Sequence, residues 1–333
     1  MSRIAILGGG SWGTALAILF SRTREAHQIS LWVRNPGLAR TIRDKRENAA
    51  YLPGLDIPLA VSIIPELDAA LEKAEIVVGA MPSAHAREIY RAAKSFLAAE
   101  TILVSATKGL EPATHAGMSE VIAQATGSSA SKIAVLSGPS FALEAARGEP
   151  TAVVLACEDE AIAKLIQEKL GGPTFRLYTN SDVLGVELAG AMKNVIAIAA
   201  GVCQGIGLGA NTLAALITRG LAEMTRLATS NGARAETLSG LAGLGDLVLT
   251  CTGSLSRNRY VGLELGRGRA LKDILSGMRM VSEGVGTTPA LLALAHEKQV
   301  DVPITEQVNA ILNEGKSPAA AIREIMDRPQ KRE

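Results

Sequence analysis

Cysteine is scarce in this chain. Its three cysteines, Cys157, Cys203 and Cys251, lie far apart and in no C-x-x-C pair. That argues against a disulfide framework or a zinc knuckle and fits a reducing compartment. Histidine is almost as rare: His27, His85, His115 and His296 share no H-E-x-x-H or other ligand spacing, so no metal is predicted. A P-loop is missing as well, because Gly315-Lys316-Ser317 lacks the glycine five residues upstream. Neither sign of charge dominates. The net charge of +1 does not suggest a nucleic-acid or membrane-surface binder, although a local patch could still grip a phosphorylated metabolite.

What is present is a chain of 333 residues, 47% apolar and 20% charged, which is globular and too long for one ordinary core. Two segments imitate membrane signals. Residues 1–20 pair Arg3 with an apolar run, but three consecutive glycines and Gly13 interrupt it and no cleavage site follows. Asn194 to Thr218 carries no charge, yet Gly205-Ile206-Gly207-Leu208-Gly209 would break a spanning helix. A buried pair of helices is expected there, in a soluble cytoplasmic protein.

The first half alternates strand and helix. Strands are expected at Arg3–Gly8, Gln28–Arg34, Ile76–Ala80, Ile102–Ser105, Ile133–Ser137 and Ala152–Ala156, and helices at Trp12–Ser21 and from Pro36 to about Glu47. Such alternation implies a largely parallel sheet with helices on both faces. Near residue 180 the pattern changes, with N-cap chemistry at Asn180-Ser181-Asp182 and helical periodicity beyond. Helices are expected at Asp182–Gly201, Asn211–Asn231, Arg257–Gly266, Thr288–Lys298 and Pro318–Met326, with Pro303 and Gly315 as punctuation and a frayed tail at Asp327–Glu333. The expected layout is a Rossmann-type domain over 1–180 and an all-helical substrate domain over 181–333.

Gly8, Gly10 and Gly13 form G-x-G-x-x-G between the first strand and the first helix, the setting that gives this motif weight. Gly8 permits a tight turn, Gly10 admits a pyrophosphate to the backbone, and Gly13 lets helix pack on strand. The same stretch reads G-x-S-x-G through Ser11, the hydrolase nucleophile elbow. An elbow normally follows several strands, and no histidine is marked as a partner for Ser11. At the end of the second strand stands Arg34 where NAD enzymes carry an acidic residue; arginine can clamp a 2′-phosphate, so NADP is admissible beside NAD.

Lys193 sits in Ala189-Gly190-Ala191-Met192-Lys193-Asn194-Val195-Ile196, a helix otherwise built for burial. A desolvated lysine suits general acid/base work, with Asn194 beside it to orient the substrate and Asp246 as a carboxylate partner. Lys108 and the turn from Gly138 to Ser140 follow strand ends, where doubly wound sheets bind ligands. Ser256, Arg257 and Asn258 offer hydroxyl, guanidinium and amide at a helix start, a set suited to phosphate. Cys251, without a nearby histidine, reads as a small apolar residue rather than a thiol nucleophile.

Together these segments resemble the NAD(P)-dependent sn-glycerol-3-phosphate dehydrogenases of bacteria. The resemblance rests on GGGSWGTALA at 8–17, SATKGLE at 105–111, SGPSFALE at 137–144, AGAMKNVIAIAAG at 189–201, GLAGLGDLVLTCTGSLSRNR at 240–259 and VSEGVGT at 281–287. It implies a 6-phosphogluconate-dehydrogenase-like fold and reversible reduction of dihydroxyacetone phosphate to sn-glycerol 3-phosphate, the backbone of phospholipids. By the family's pattern Lys193 is the proton donor/acceptor, and Lys108 faces both cofactor and substrate. Gly138, Ser140, Asp246, Ser256, Arg257 and Asn258 bind the substrate, Arg257 also reaches the cofactor, and Thr250 is a secondary active-site contact. Ser11, Trp12, Arg34, Ala142, Val281 and Glu283 line the cofactor site. Two other readings remain open at this point: a β-hydroxy-acid dehydrogenase of related architecture, and a dinucleotide sensor without turnover. A homodimer is a further expectation.

Overall fold

A computed structural model describes residues 1–278 and 281–329. The part of the expected frayed tail at 330–333 lies outside the described residues. The chain divides into two compact units, one made of residues 1–111 and 116–187, the other of 112–115 and 188–333.

The first unit holds the strands β1 (Arg3–Leu7), β2 (Gln28–Trp32), β3 (Glu47–Asn48), β4 (Leu52–Asp56), β5 (Val61–Ile64), β6 (Ile76–Gly79), β7 (Ile102–Ser105), β8 (Ile133–Ser137), β9 (Thr151–Cys157) and β10 (Phe175–Asn180). Its helices are α1 (Ser11–Phe20), α2 (Pro36–Lys45), α3 (Leu67–Leu71), α4 (Ser83–Ala93), α5 (Met118–Thr126), α6 (Ala142–Arg147) and α7 (Glu160–Leu170). Eight strands form one sheet in the order β10-β9-β8-β7-β6-β1-β2-β5, and β3 pairs with β4 in a separate hairpin. Neighbours in the sheet run parallel except β8 and β9, which are antiparallel.

Strand alternation explains the two layers. Ile4 and Ile6 of β1 join a core that includes α1, α6 and α7, whereas Ala5 and Leu7 join the opposite core with α4 and α5. Helix α1 is buried from Gly13 to Phe20, which is why it is apolar on every side. Three strands of the sheet and hairpin were not foreseen. β4 (LPGLD) is broken by Pro53 and Gly54, β3 is two residues long, and β5 (VSII) is short. A fourth, β10, did carry a signal, since Phe175 and Leu177 are buried and Arg176 and Tyr178 exposed in strict alternation.

One core side chain is poorly served. The Tyr90 hydroxyl of α4 is buried with no hydrogen-bond partner, lying against Gly79 where a Cβ would overlap it, and burial pushes its pKa up. A polar group left unsatisfied in a core costs stability. Tyr90→Phe is therefore expected to raise the unfolding free energy by about 1 kcal/mol, read from urea melts; a loss would show that the hydroxyl has a partner in solution.

Helix α8 (Val183–Gly205) runs past the boundary between the units. It starts as the sequence implies, with Asp182 Oδ1 accepting from Gly185 N at 2.9 Å and Asn180 Oδ1 from Asp182 N at 2.8 Å. The second unit continues with α9 (Ala210–Ser230), α10 (Ala235–Ser239), a π-helical turn Leu241–Gly245, α11 (Asp246–Thr252), α12 (Arg257–Gly266), α13 (Leu271–Ser276), α14 (Glu283–Glu297), α15 (Pro303–Asn313) and α16 (Pro318–Met326). Among its described residues this unit is wholly helical. Pro303 opens a helix at its first turn rather than interrupting one, and α14 begins five residues before the expected Thr288 and carries Pro289 inside it.

Helix α8 is long and apolar enough to cross a membrane by composition, but 89% of its most apolar stretch is buried within the fold. The expected buried pair is only half right. The first half of α9, from Asn211 to Arg219, is exposed or half-exposed throughout, and only the later Gly220, Glu223, Met224, Leu227 and Ala228 reach the core. Glu223 fixes that later half. Its carboxylate accepts from the N–H groups of Ile304 and Thr305 and from the Thr305 hydroxyl, so it caps α15 from a neighbouring helix.

Candidate active site

In the first unit, β1 lies between β6 and β2, where the order of connection reverses and doubly wound sheets open a crevice for ligands. The chain leaves β1 through Gly8 at φ 131°, a left-handed conformation that side chains rarely tolerate. A Cβ at Gly13 would overlap the Gly8 carbonyl, so the helix can approach only as glycine. At Gly10 a Cβ would meet no protein atom within 4 Å. The room that a pyrophosphate needs is therefore open on the ligand side of the turn, and the loop fits a dinucleotide. Ser11 opens α1, and Trp12 packs edge-on against Phe175 with ring centroids 6.5 Å apart. Arg34 stands exposed two residues beyond β2 and makes no ion pair among the described residues. Ala142 is the first residue of α6.

Asn48 was missed by sequence reasoning. It is fully buried in the β3–β4 hairpin, and its Nδ2 donates to Gly9 O at 2.9 Å and to Thr14 Oγ1 at 2.8 Å. The hairpin thus braces the glycine turn from outside the strand–turn–helix unit. A polar residue in a short loop gives no sequence signal of that role.

The ends of β7 and β8 come together as expected. Lys108 Nζ donates to Gly138 O at 2.8 Å and reaches Ser140 Oγ at 3.4 Å, while Ser140 Oγ donates to Gly138 O at 2.8 Å. Gly138 has φ 135° and packs on the backbone of Val153. The Lys108 loop is clamped by a second unforeseen pair, Arg87 and Glu111, through two bonds of 2.7 Å. A third buried carboxylate, Glu187 in the first turns of α8, accepts from Ser119 N and Ser119 Oγ at 2.7 Å each at the start of α5. Burial pushes its pKa up to about 7 despite those donors.

In the second unit Lys193 is buried on α8. Its Nζ lies 2.7 Å from Asp246 Oδ1 and donates to Thr250 Oγ1 at 2.9 Å. Asp246 and Thr250 are four residues apart on α11, hence on one face, and the hydroxyl spends its single proton on Asp246 O. Towards the lysine it can only accept. The carboxylate offsets the burial of the ammonium, and the neutral acceptor beside it fixes where that ammonium points. Cys251, next along α11, is buried with its thiol pushed up to about 12, which removes it as a nucleophile.

Helices α8 and α12 cross at glycines: a Cβ on Gly262 would overlap Ile198 O and one on Gly201 would overlap Arg259 O. This close crossing brings the first turn of α12 beside Asn194, whose Oδ1 accepts from Asn258 Nδ2 at 2.8 Å. Ser256 caps α12, accepting from Arg259 N at 3.2 Å. Part of the expected set of hydroxyl, guanidinium and amide thus also serves the protein itself. The Asn258 Oδ1 is committed within the protein, because it accepts from Ser282 Oγ at 2.6 Å and Gly284 N at 2.9 Å. Arg257 is exposed, with one guanidinium nitrogen donating to Val281 O at 3.0 Å, and the N–H groups of Arg257 and Asn258 at the start of α12 have no partner within the helix. Val281 is exposed and Glu283 opens α14.

Comparison with known proteins agrees along the whole chain. Residues 3–163 match the N-terminal pattern of NAD-dependent glycerol-3-phosphate dehydrogenase, and residues 182–323 match its C-terminal pattern. The chain belongs to the NAD-dependent glycerol-3-phosphate dehydrogenase family. It is 52% identical over 331 residues to a glycerol-3-phosphate dehydrogenase [NAD(P)+] of Koribacter versatilis, covering 99% of this chain and 98% of that one. The crystal structure of glycerol-3-phosphate dehydrogenase from Coxiella burnetii superposes with a TM-score of 0.93 at 41% identity, covering 98% of this chain and 99% of that one. A ketopantoate reductase from Ralstonia eutropha shares the fold alone, at 16% identity and a TM-score of 0.60 over 96% of this chain and 99% of its own. Membership of a family of NAD(P)-dependent oxidoreductases sets aside the hydrolase elbow and the sensor without turnover. The hydroxy-acid reading keeps only a likeness of fold.

Proposed function

We propose that this chain catalyses the reversible NAD(P)H-dependent reduction of dihydroxyacetone phosphate to sn-glycerol 3-phosphate, and so supplies the backbone of glycerophospholipids. The observation that carries the reading is the buried Lys193–Asp246–Thr250 constellation, in a chain whose family reduces this ketone. The bound dinucleotide supplies the hydride. Residues 1–180 serve as its domain, through Gly8, Gly10, Ser11, Trp12, Gly13, Arg34 and Ala142, with Val281 and Glu283 lining the site. Residues 181–333 form the substrate domain.

Lys193 delivers a proton to the oxygen that becomes the new hydroxyl, and accepts it in the reverse direction. Asp246 keeps the ammonium in place and Thr250 fixes its direction, with Asn194 as a further substrate contact. Arg257 and the first turn of α12, with Ser256 and Asn258, hold the phosphate, so its binding energy orients the carbonyl. Lys108, Gly138 and Ser140 add substrate contacts, and Lys108 and Arg257 also serve the cofactor. A hydroxy-acid substrate would leave this phosphate grip without a use.

The test follows absorbance at 340 nm with dihydroxyacetone phosphate and NADPH or NADH. Oxidation is expected only with the phosphorylated ketone, and its absence with both cofactors would overturn the reading. Arg34→Ala is expected to raise the KM for NADPH about tenfold or more with little change for NADH, the worth of a charge-assisted contact to a 2′-phosphate. Equal changes for both cofactors would deny Arg34 that role. The proposal includes a cytoplasmic location, supported by three free, buried thiols, and a homodimer, supported by the exposed and half-exposed, uncharged stretch 211–218 of α9. Sedimentation of the same preparation at monomer mass would remove the homodimer.

A further inference from the structure

Ser282 stands at the N-cap of α14, where a serine ordinarily turns its oxygen to an N–H of its own helix. It makes no such bond. The N–H of Gly284 is instead capped by Asn258 Oδ1, at 2.9 Å, from α12, and the Ser282 hydroxyl donates to that same oxygen at 2.6 Å. With Nδ2 given to Asn194 Oδ1, the Asn258 amide is held from α8 on one side and from α14 on the other. Both Ser282 and Asn258 are buried, so water does not readily replace a lost bond. The segment that carries Ser282 also presents Val281 O to the Arg257 guanidinium. A Cβ at Gly284 would crowd Asn194 O and Asn258 Oδ1, so the segment already sits as close as glycine allows.

We propose that Ser282 is a positioning residue for phosphate binding. By holding Asn258 Oδ1 it sets the first turn of α12, and by fixing its own segment it sets the carbonyl that aims Arg257. The inference rests on the reading of α12 and Arg257 as the phosphate grip. It explains why an asparagine whose Oδ1 is fully engaged stands in that grip: Asn258 offers the substrate its N–H groups, and the bonds to its side-chain oxygen keep them in place.

The test compares Ser282→Ala, which loses the donor, with Ser282→Thr, which keeps it. Four quantities are read: KM for dihydroxyacetone phosphate, Ki for inorganic phosphate as competitor, KM for the dinucleotide, and kcat. For S282A the first two are expected to rise together by about threefold to tenfold, the span of one buried hydrogen bond, while kcat stays within about twofold of wild type and the dinucleotide KM, to which Val281 and Arg257 also contribute, rises by less. Ser282→Thr is expected to restore both. If S282A folds poorly, Ser282→Cys gives the comparison at nearly the same volume with a weaker donor. Unchanged substrate KM and phosphate Ki would overturn the proposal, as would a lowered melting temperature with all four constants unmoved. A wild-type protein that reduces dihydroxyacetone phosphate but is indifferent to phosphate would sink this inference alone. One that does not turn over the ketone sinks the underlying reading and this inference with it.

Discussion

Lys193→Met is expected to lower kcat for dihydroxyacetone phosphate reduction by about a thousandfold, within the range associated with loss of a general acid. It should also destabilise the protein by about 3–5 kcal/mol, because Asp246 is left buried without its cation. Loss of activity through unfolding would look similar, so a double variant separates the two. Lys193→Met with Asp246→Leu replaces the ion pair by apolar groups, a change that is often neutral or stabilising. Its melting temperature should return to near that of the parent while kcat stays low. Recovery of turnover in the double variant would mean that the lysine holds the fold and another group moves the proton. Failure of stability to recover would mean that the pair orders more of α8 and α11 than the two side chains themselves.

Stability is expected to fall by about 2 kcal/mol between pH 5 and 7, the larger part of the linkage of one carboxyl raised from 4.5 to about 7. The sign follows from proton counts. Above the ordinary carboxyl value the unfolded chain has released the Glu187 proton, whereas the folded protein still holds it until about pH 7. Each step upward through that window therefore favours the unfolded state, and the effect is complete above it. Glu223 is shifted the same way by burial and adds to the slope. The surface carboxylates Glu25, Glu160 and Glu324, lowered by their lysine partners, act only below the ordinary carboxyl range and in the opposite sense. Urea melts of Glu187→Gln should show less than half the parent's slope from pH 5 to 7. A parent profile that is flat there, or a variant that keeps the full slope, would exclude Glu187 as its source.

The sequence showed best where one physical demand had one answer. Short continuous apolar runs read as buried strands, and β1, β7 and β8 end within a residue of where they were expected. A lysine in an apolar helix needed a carboxylate, and Asp246 stands 2.7 Å away. The helix that carries Asp246 was less visible, because the glycines of Leu241–Gly245 read as loop whereas the chain there makes a π-helical turn that leads directly into α11. Asn48, Arg87 and Ser282 were not legible at all. Each acts through a partner 24 or more residues away, and a polar residue of that kind looks like any solvated one until the fold brings its partner near.

The bracing of the glycine turn by Asn48 has a consequence for how tightly that turn holds a ligand. A loop that stiffens only when its ligand arrives gives up part of the binding energy as lost chain entropy. Here the hairpin 47–56 ties Gly9 and Thr14 down in advance, so that loss is met during folding. Dinucleotide affinity and the integrity of a small hairpin remote in sequence are thereby coupled, and whatever frays the hairpin loosens the grip.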